Sequence, residues 1–243
     1  MPRQRYDALF FDVGGTLVWS EPGADEIWAQ VLQKHGYRVT AEEVVRRTGS
    51  PGPEINRGDL HRAVAGTMEA FSGSFPATKE EQQGYFRRFD SAVLEQLGIP
   101  PEEGLLDALQ RAFDVGIATH VYDDVELTLR SLKDEGFRLG VISNASHELP
   151  ERLHQLQLAR HFDTITYSWE VGVEKPSPRI FRTALKRLGV EASRAVHVGD
   201  SYEADVLGAR GVGITPMLID RDGTGTAADC IVLRSLLQVS EYL

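Results

Sequence analysis

The chain of 243 residues has a single cysteine, Cys230, so no internal disulfide forms, the fold must rest on a packed core, and a reducing, cytoplasmic setting is expected. Within Ala-Asp-Cys-Ile-Val, Cys230 reads as an inert thiol in a short buried strand. No apolar run reaches membrane-spanning length, and the opening Met-Pro-Arg-Gln-Arg-Tyr passes into a strand with no signal-peptide hydrophobic region. Neither a bilayer nor a secretory route is therefore expected. Positive charge is in deficit: 36 acidic residues face 26 lysines and arginines, for a formal net charge of −10. A surface of that sign repels polyanions, which removes DNA and RNA from the expected partners. A small phosphorylated molecule stays compatible, because a bound metal reverses the local field. Internal repeats and low-complexity tracts are missing too.

What is present is the balance of an ordinary globular protein, 42% hydrophobic and 26% charged. The apolar run Ala8 to Val13 reads as a buried strand of a parallel sheet that delivers Asp12 into a Gly-Gly-Thr turn. Helical patterns then cover Asp25 to Lys34, Ala41 to Arg47, Asp59 to Glu69, Lys79 to Leu97 and Glu103 to Phe113. Breakers at Thr48 to Pro53, Gly73 to Pro76 and Gly98 to Pro101 divide them, and no strand is evident. From Val121 strands and helices alternate: strands at Arg138 to Ser143, Thr164 to Ser168, Ala195 to Val198, Ile214 to Ile219 and Cys230 to Val232. Helices are predicted at Val125 to Glu135, Glu148 to Leu158, Pro178 to Leu188 and Tyr202 to Arg210, with a last one from Arg234. That alternation argues for a Rossmann-like, doubly wound parallel α/β core, residues 1–18 plus 121–243, with residues 19–120 inserted as an all-α domain.

In open α/β sheets ligands sit beyond the carboxyl ends of the strands, and there this chain places polar residues of a particular kind. Ser143-Asn144 follows one strand, Lys175 precedes a proline-started helix, and Gly199-Asp200-Ser201 with Asp205 follows another. Each alone has a plain structural reading: a cap or turn at Asp12, a turn at Ser143-Asn144, a surface charge at Lys175, a first-turn acid at Asp205. Together they follow a charge logic. Asp12 and Asp200, held close, repel and raise each other's pKa unless a cation lies between them, and hard carboxylate oxygens are the ligands Mg²⁺ prefers. Lys175 would balance the remaining charge, and Ser143 would grip a phosphoryl oxygen, as at a phosphoryl-transfer site with an aspartate nucleophile.

The four stretches Asp12-Val13-Gly14-Gly15-Thr16, Ile142-Ser143-Asn144, Lys175-Pro176 and Gly199-Asp200-Ser201 with Asp205 appear in order. In them the chain resembles the haloacid dehalogenase superfamily of hydrolases, and the match extends over nearly its whole length. The inserted segment looks like that family's helical (type C1) cap. The resemblance implies a phosphatase for a small phosphorylated metabolite, with Asp12 attacking phosphorus to form an aspartyl-phosphate and Ser143 and Lys175 binding phosphoryl oxygens. It implies substrate contacts from Val13, Gly14 and Asn144, and Mg²⁺ held by Asp12, Asp200 and the Gly14 carbonyl, with Asp205 supporting the metal set or Lys175.

One position departs from the pattern. Phosphatases of this family usually carry a second aspartate two residues after the nucleophile, as acid and base, and this chain has Gly14. General acid–base help is worth about 10²–10⁴-fold in rate, so slow turnover, or preference for good leaving groups, is expected. Several readings stand. A proton donor can come from Glu203 or from His35 or His61 of the insertion; a dehalogenase needs no such proton; the phosphonate-cleaving branch uses a cap lysine, for which only Lys34 and Lys79 are offered. A non-catalytic module binding phosphate and Mg²⁺ is the remaining class, and the intact Asp12 argues against it. The basic segment Arg46-Arg47 through Asn56-Arg57 and His61-Arg62 reads either as a face toward an anionic substrate or as a solvated helix face.

Overall fold

A computed structural model describes residues 6–40, 54–71, 79–115, 118–223 and 229–243. Strand β1, Ala8–Phe11, is buried along its whole length. Its alternation sends Leu9 and Phe11 into one hydrophobic core and Ala8 and Phe10 into another, so the strand is covered on both faces, as its unbroken apolar run requires. A tight turn follows, and β2, Val18–Glu21, leads away from it.

The described residues fall into two compact units: those up to Trp19 and from His120 onward, and those from Ser20 to Thr119. The second unit begins with α1, Ala24–Lys34, whose stripe of Ile27, Trp28, Val31 and Leu32 is buried. It continues through β3, Arg38–Thr40, β4, Glu54–Asn56, and the helices α2, Arg57–Phe71, α3, Lys79–Gln96, and α4, Glu103–Val115. Its own core gathers Trp28, Leu32, Leu60, Leu94 and Leu109. The stretch expected to lack strands thus holds these two, pairing in parallel with Val39 opposite Ile55, and most of two more at its ends, over 18–21 and 118–121. Three residues are too few to show a period of two, and Ile55 reaches the core only because that pairing places it there. The helix expected over 41–47, the loop over 48–53 and the joint over 73–76 lie outside the described residues.

Strand β5, Ala118–Val121, pairs with β2 in a separate two-stranded sheet, and each of these strands carries the chain from one unit into the other. Then come α5, Val125–Asp134, β6, Arg138–Ser143, α6, Leu149–Gln155, β7, Thr164–Tyr167, the short α7, Ser168–Val171, and α8, Pro178–Leu188. Strand β8, Ala195–Gly199, enters a π-wound turn, Tyr202–Leu207, continued by α9, Gly208–Arg210. Strands β9, Thr215–Ile219, and β10, Ile231–Leu233, and a 3₁₀ segment, Leu236–Tyr242, complete the chain. Two expected α-helices are therefore wound differently: 202–207 opens to a π turn and the C-terminal one tightens to 3₁₀ behind a Ser235–Gln238 capping box. Cys230 stands just before β10, half-buried rather than inside a buried strand, and burial pushes its thiol pKa up. No helix among the described residues is long and apolar enough to cross a membrane.

The central sheet has six strands in the order β10-β9-β8-β1-β6-β7, and every neighbouring pair is parallel. From β1 the chain builds outward through β6 to β7 and then returns to the other side through β8. The order reverses between β1 and β8, and at such a reversal the connections diverge and leave a crevice at the strands' carboxyl ends. Helix α8 covers one face with Ile180, Phe181, Ala184, Leu185 and Leu188; fully burying a side chain the size of Phe181 contributes about 1.5–3 kcal/mol. Pro178 pre-sets its first turn and Gly189, at φ 65°, ends it.

Candidate active site at the carboxyl ends of the sheet

Asp12 is the first residue beyond β1, and its backbone N–H donates to the Val198 carbonyl of β8 at 2.9 Å. Phe11 pairs with Val198 on one side and Val141 on the other, so Asp200 and Ser143 flank the Asp12-Val13 step from the two neighbouring strands. Three ligand oxygens, one each from Asp12, Asp200 and Asp205, lie within 4.8 Å of one another. Lys175 joins them: its Nζ donates to Asp12 Oδ1 and to Asp205 Oδ1, at 2.6 Å each. All three members of that chain are nearly sealed from solvent, Asp12 at 7%, Lys175 at 3% and Asp205 at 1% exposure.

Glycine makes the approach feasible. Gly15 has φ +67°, and a Cβ there would stand 2.1 Å from Asp200 Oδ2, so the turn and the carboxylate cannot coexist with any side chain at that position. A Cβ on Gly199 would likewise fall 2.1 Å from the Asp205 Cγ. Gly14 is the opposite case: it is exposed, and an added Cβ meets nothing within 4 Å.

The charges answer to burial first and to one another second. Burial raises the Asp12 carboxyl, with Lys175 pulling it down and Asp205 adding to the rise. Burial alone would lower the Lys175 ammonium, but Asp12 and Asp205 outweigh it and the net displacement is upward. Burial would also raise Asp205; Lys175, followed by the hydrogen bond from His197, reverses this and holds the carboxyl well below the ordinary range. Asp200 touches solvent yet is densely surrounded, and that desolvation, ahead of the charges of Asp12 and Asp205, pushes it up to about 7. Three carboxylates around one ammonium leave a negative excess that a divalent cation fits, and the donors are the hard oxygens such an ion takes.

The remaining expected residues are distributed unevenly. Ser143 is buried at the end of β6, and Val13 is buried beside Asp12. The side chain of Asn144 uses both ends of its amide: its Oδ1 accepts the Lys175 backbone N–H at 2.7 Å and its Nδ2 donates to the Lys175 carbonyl at 3.1 Å. It therefore fixes the backbone that carries Lys175. Asp205 is equally occupied, with Oδ1 taken by Lys175 and His197 and Oδ2 by the Ser201 N–H at 3.0 Å. Among the candidate proton donors, Glu203 is exposed. In the helical unit a ring nitrogen of His35 lies 2.9 Å from the Val31 carbonyl, His61 pairs with Asp25 at 3.0 Å, Lys34 is exposed and Lys79 opens α3. Of the basic segment, Arg57 pairs with Glu26 and Arg62 with Asp59, and Arg46 and Arg47 lie outside the described residues.

Sequence reasoning passed over two features. His197, on β8, reaches Asp205 Oδ1 with Nε2 at 2.8 Å; the one available signal was a polar residue at a fully buried strand position just ahead of Asp200. Arg221 donates to the Thr16 carbonyl at 2.6 Å, holds Asp124 with both terminal nitrogens at 3.0 Å and stacks on Tyr122. It braces the turn that follows Asp12, and no local pattern in Asp-Arg-Asp-Gly marks it.

A family model described as haloacid dehalogenase-like hydrolase matches residues 6–213. Haloacid dehalogenase-like hydrolase domain-containing protein 3 of Mus musculus is 38% identical over 217 residues, which is 87% of this chain and 80% of that protein. The glyceraldehyde 3-phosphate phosphatase of Methanopyrus kandleri is 31% identical over 88% of this chain and 84% of its own length. Among solved structures, a HAD-hydrolase of Bacillus subtilis crystallised with magnesium superposes with a TM-score of 0.67 at 20% identity, covering 98% of each chain, a likeness of fold.

Proposed function

The chain belongs to the haloacid dehalogenase-like hydrolases, and on that premise we propose that it is a Mg²⁺-dependent phosphatase of small phosphorylated metabolites, working through an aspartyl-phosphate on Asp12. The observation that carries this reading is the ionic chain Asp12–Lys175–Asp205, closed at the crevice of the sheet, with Asp200 beside it. Relatives named as phosphatases of glyceraldehyde 3-phosphate and phosphoserine support the substrate class. Asp12, Asp200 and the Gly14 carbonyl would hold the ion, with Asp205 behind them fixing Lys175. When bound, the ion neutralises charge between the aspartates and the phosphoryl oxygens.

The residues of the chain do the rest. Asp12 attacks phosphorus, the ester oxygen leaves with its electron pair, and water then releases phosphate and restores the carboxylate. Lys175 stays protonated and offsets the negative charge gathering on the phosphoryl oxygens, beside the Ser143 hydroxyl. The leaving oxygen receives no proton from residue 14, which has no side chain, so good leaving groups are favoured. A metal-free dehalogenase is the weaker reading, because an unneutralised Asp200 beside the Asp12 nucleophile serves no purpose in displacing a halide.

The test is phosphate release from acetyl phosphate and p-nitrophenyl phosphate with and without Mg²⁺. Release should require the ion and fall at least about 10³-fold in Asp12→Asn, which removes the nucleophile. Turnover that survives that substitution, or no release by the unaltered protein, ends the proposal.

A further inference from the structure

We propose that His197 is a positioning residue of this site: by donating its Nε2 proton to Asp205 it locks the carboxylate that holds Lys175 against Asp12. The inference rests on the phosphatase reading and deepens it.

His197 is fully buried in β8. Its ring meets the Phe181 ring of α8 edge-on, with centroids 5.4 Å apart and planes at 89°, so packing fixes its orientation. Nε2 lies 2.8 Å from Asp205 Oδ1, whereas Nδ1 is buried without a hydrogen-bond partner among the described residues. A proton on Nδ1 would be stranded, so the network assigns the proton to Nε2. A histidine serving only as core filling would satisfy both nitrogens, and an aliphatic residue would avoid the cost of the bare one. The position tolerates that cost for the sake of the single bond it makes.

That bond acts on the rest of the chain of charges. Asp205 is pressed so closely on Gly199 that no Cβ fits between them, and three donors set its rotation: His197 and Lys175 on Oδ1, and the Ser201 N–H on Oδ2. Without the His197 donor, Oδ1 keeps only Lys175. The carboxylate is then free to follow the lysine, and Lys175 loses the fixed anchor that keeps its Nζ on Asp12.

The full chain is assayed with Mg²⁺ and p-nitrophenyl phosphate as His197→Leu and His197→Gln. Outer-shell partners of this kind typically carry ~10–100-fold in activity, so Leu, which fills the volume without a donor, should lower kcat by that factor with KM changed less. Gln, whose amide nitrogen reaches the Nε2 position, should recover most of the loss. A merely structural role predicts the reverse, since Leu suits a buried strand better than Gln. Equal kcat in the Leu variant and the unaltered protein, or no advantage of Gln over Leu, overturns the proposal. Nitrogen-15 spectra of the unaltered protein decide without turnover or a folded variant: the His197 imidazole should show a protonated Nε2 and a bare Nδ1, and a proton on Nδ1 refutes the assignment. If the unaltered protein releases no phosphate while the spectra show that tautomer, the phosphatase reading fails and the His197–Asp205 bond stands.

Discussion

Each unit of the molecule buries an aspartate, and the two fare differently. In the α/β unit Asp205 is almost sealed, and burial would protonate it, yet Lys175 and His197 hold its carboxyl well below the ordinary range. In the helical unit Asp90 is 4% exposed; its hydrogen bond comes from the neutral Gln110 amide at 3.1 Å. Burial pushes it up to about 6, against that amide and the more distant charge of Arg87. A low-dielectric interior does not decide whether a carboxylate ionises; the partner it is given does. The α/β unit keeps buried charge alive by chaining it, and its chemistry depends on that charge, whereas the helical unit tolerates one acid that sits close to neutrality.

The harshest way to break this contrast is to remove the cation. Lys175→Met leaves Asp12 and Asp205 buried without the cation they share, and breaking such a pair costs about 3–5 kcal/mol. Urea unfolding at pH 7 should show that loss, and the loss should shrink toward pH 4 as the two carboxylates take up protons. An unchanged midpoint would mean that the acids do not lean on the lysine.

Much of the site was legible in the sequence because its residues are positioned by strand ends. Asp12 after an apolar run, Ser143 after another and Asp200 after a third needed only strand periodicity and the rule that ligands gather at carboxyl ends. The partners were hidden for physical reasons. Asn144 read as a turn residue, and only the folded chain shows its amide clasping a backbone 31 residues away. Asp205 read as a first-turn acid on an α-helix, but the turn opens to π geometry where its side chain folds back to Ser201, Lys175 and His197. The strands β3 and β4 escaped because each is three residues long and gains its stability from pairing.

A gentler change sharpens the account of the α/β unit by adding charge where space exists. Gly14 has open space where Gly15 has none: a Cβ at 14 meets nothing within 4 Å, while one at 15 collides with Asp200 on a left-handed backbone. Gly14→Asp should therefore fold and raise kcat on alkyl phosphates about tenfold or more, a part of the ~10²–10⁴ that acid–base help supplies. Aryl and acyl phosphates, which leave without a proton, should respond less. Equal gains on both classes, or none with the fold intact, would show that proton delivery does not limit turnover.

The smallest effect belongs to the helical unit and tests the other half of the contrast. The folded pKa of Asp90 is raised from 3.8 to about 6, so the native state binds this proton more tightly than the unfolded chain does. Its contribution to stability is therefore largest below about pH 4, declines as pH climbs through the interval to about 6, and is flat beyond. Asp90→Asn keeps the shape and the Gln110 contact but carries no charge to desolvate. A rise of that size corresponds to at most about 3 kcal/mol, and relaxation around the residue leaves roughly 1–2 kcal/mol of gain. Denaturant unfolding of the two proteins should coincide at pH 4 and separate at pH 7.5 with the Asn variant more stable. A gain of equal size at both pH values would mean that Asp90 is ionised throughout, and that the two units handle buried acid alike.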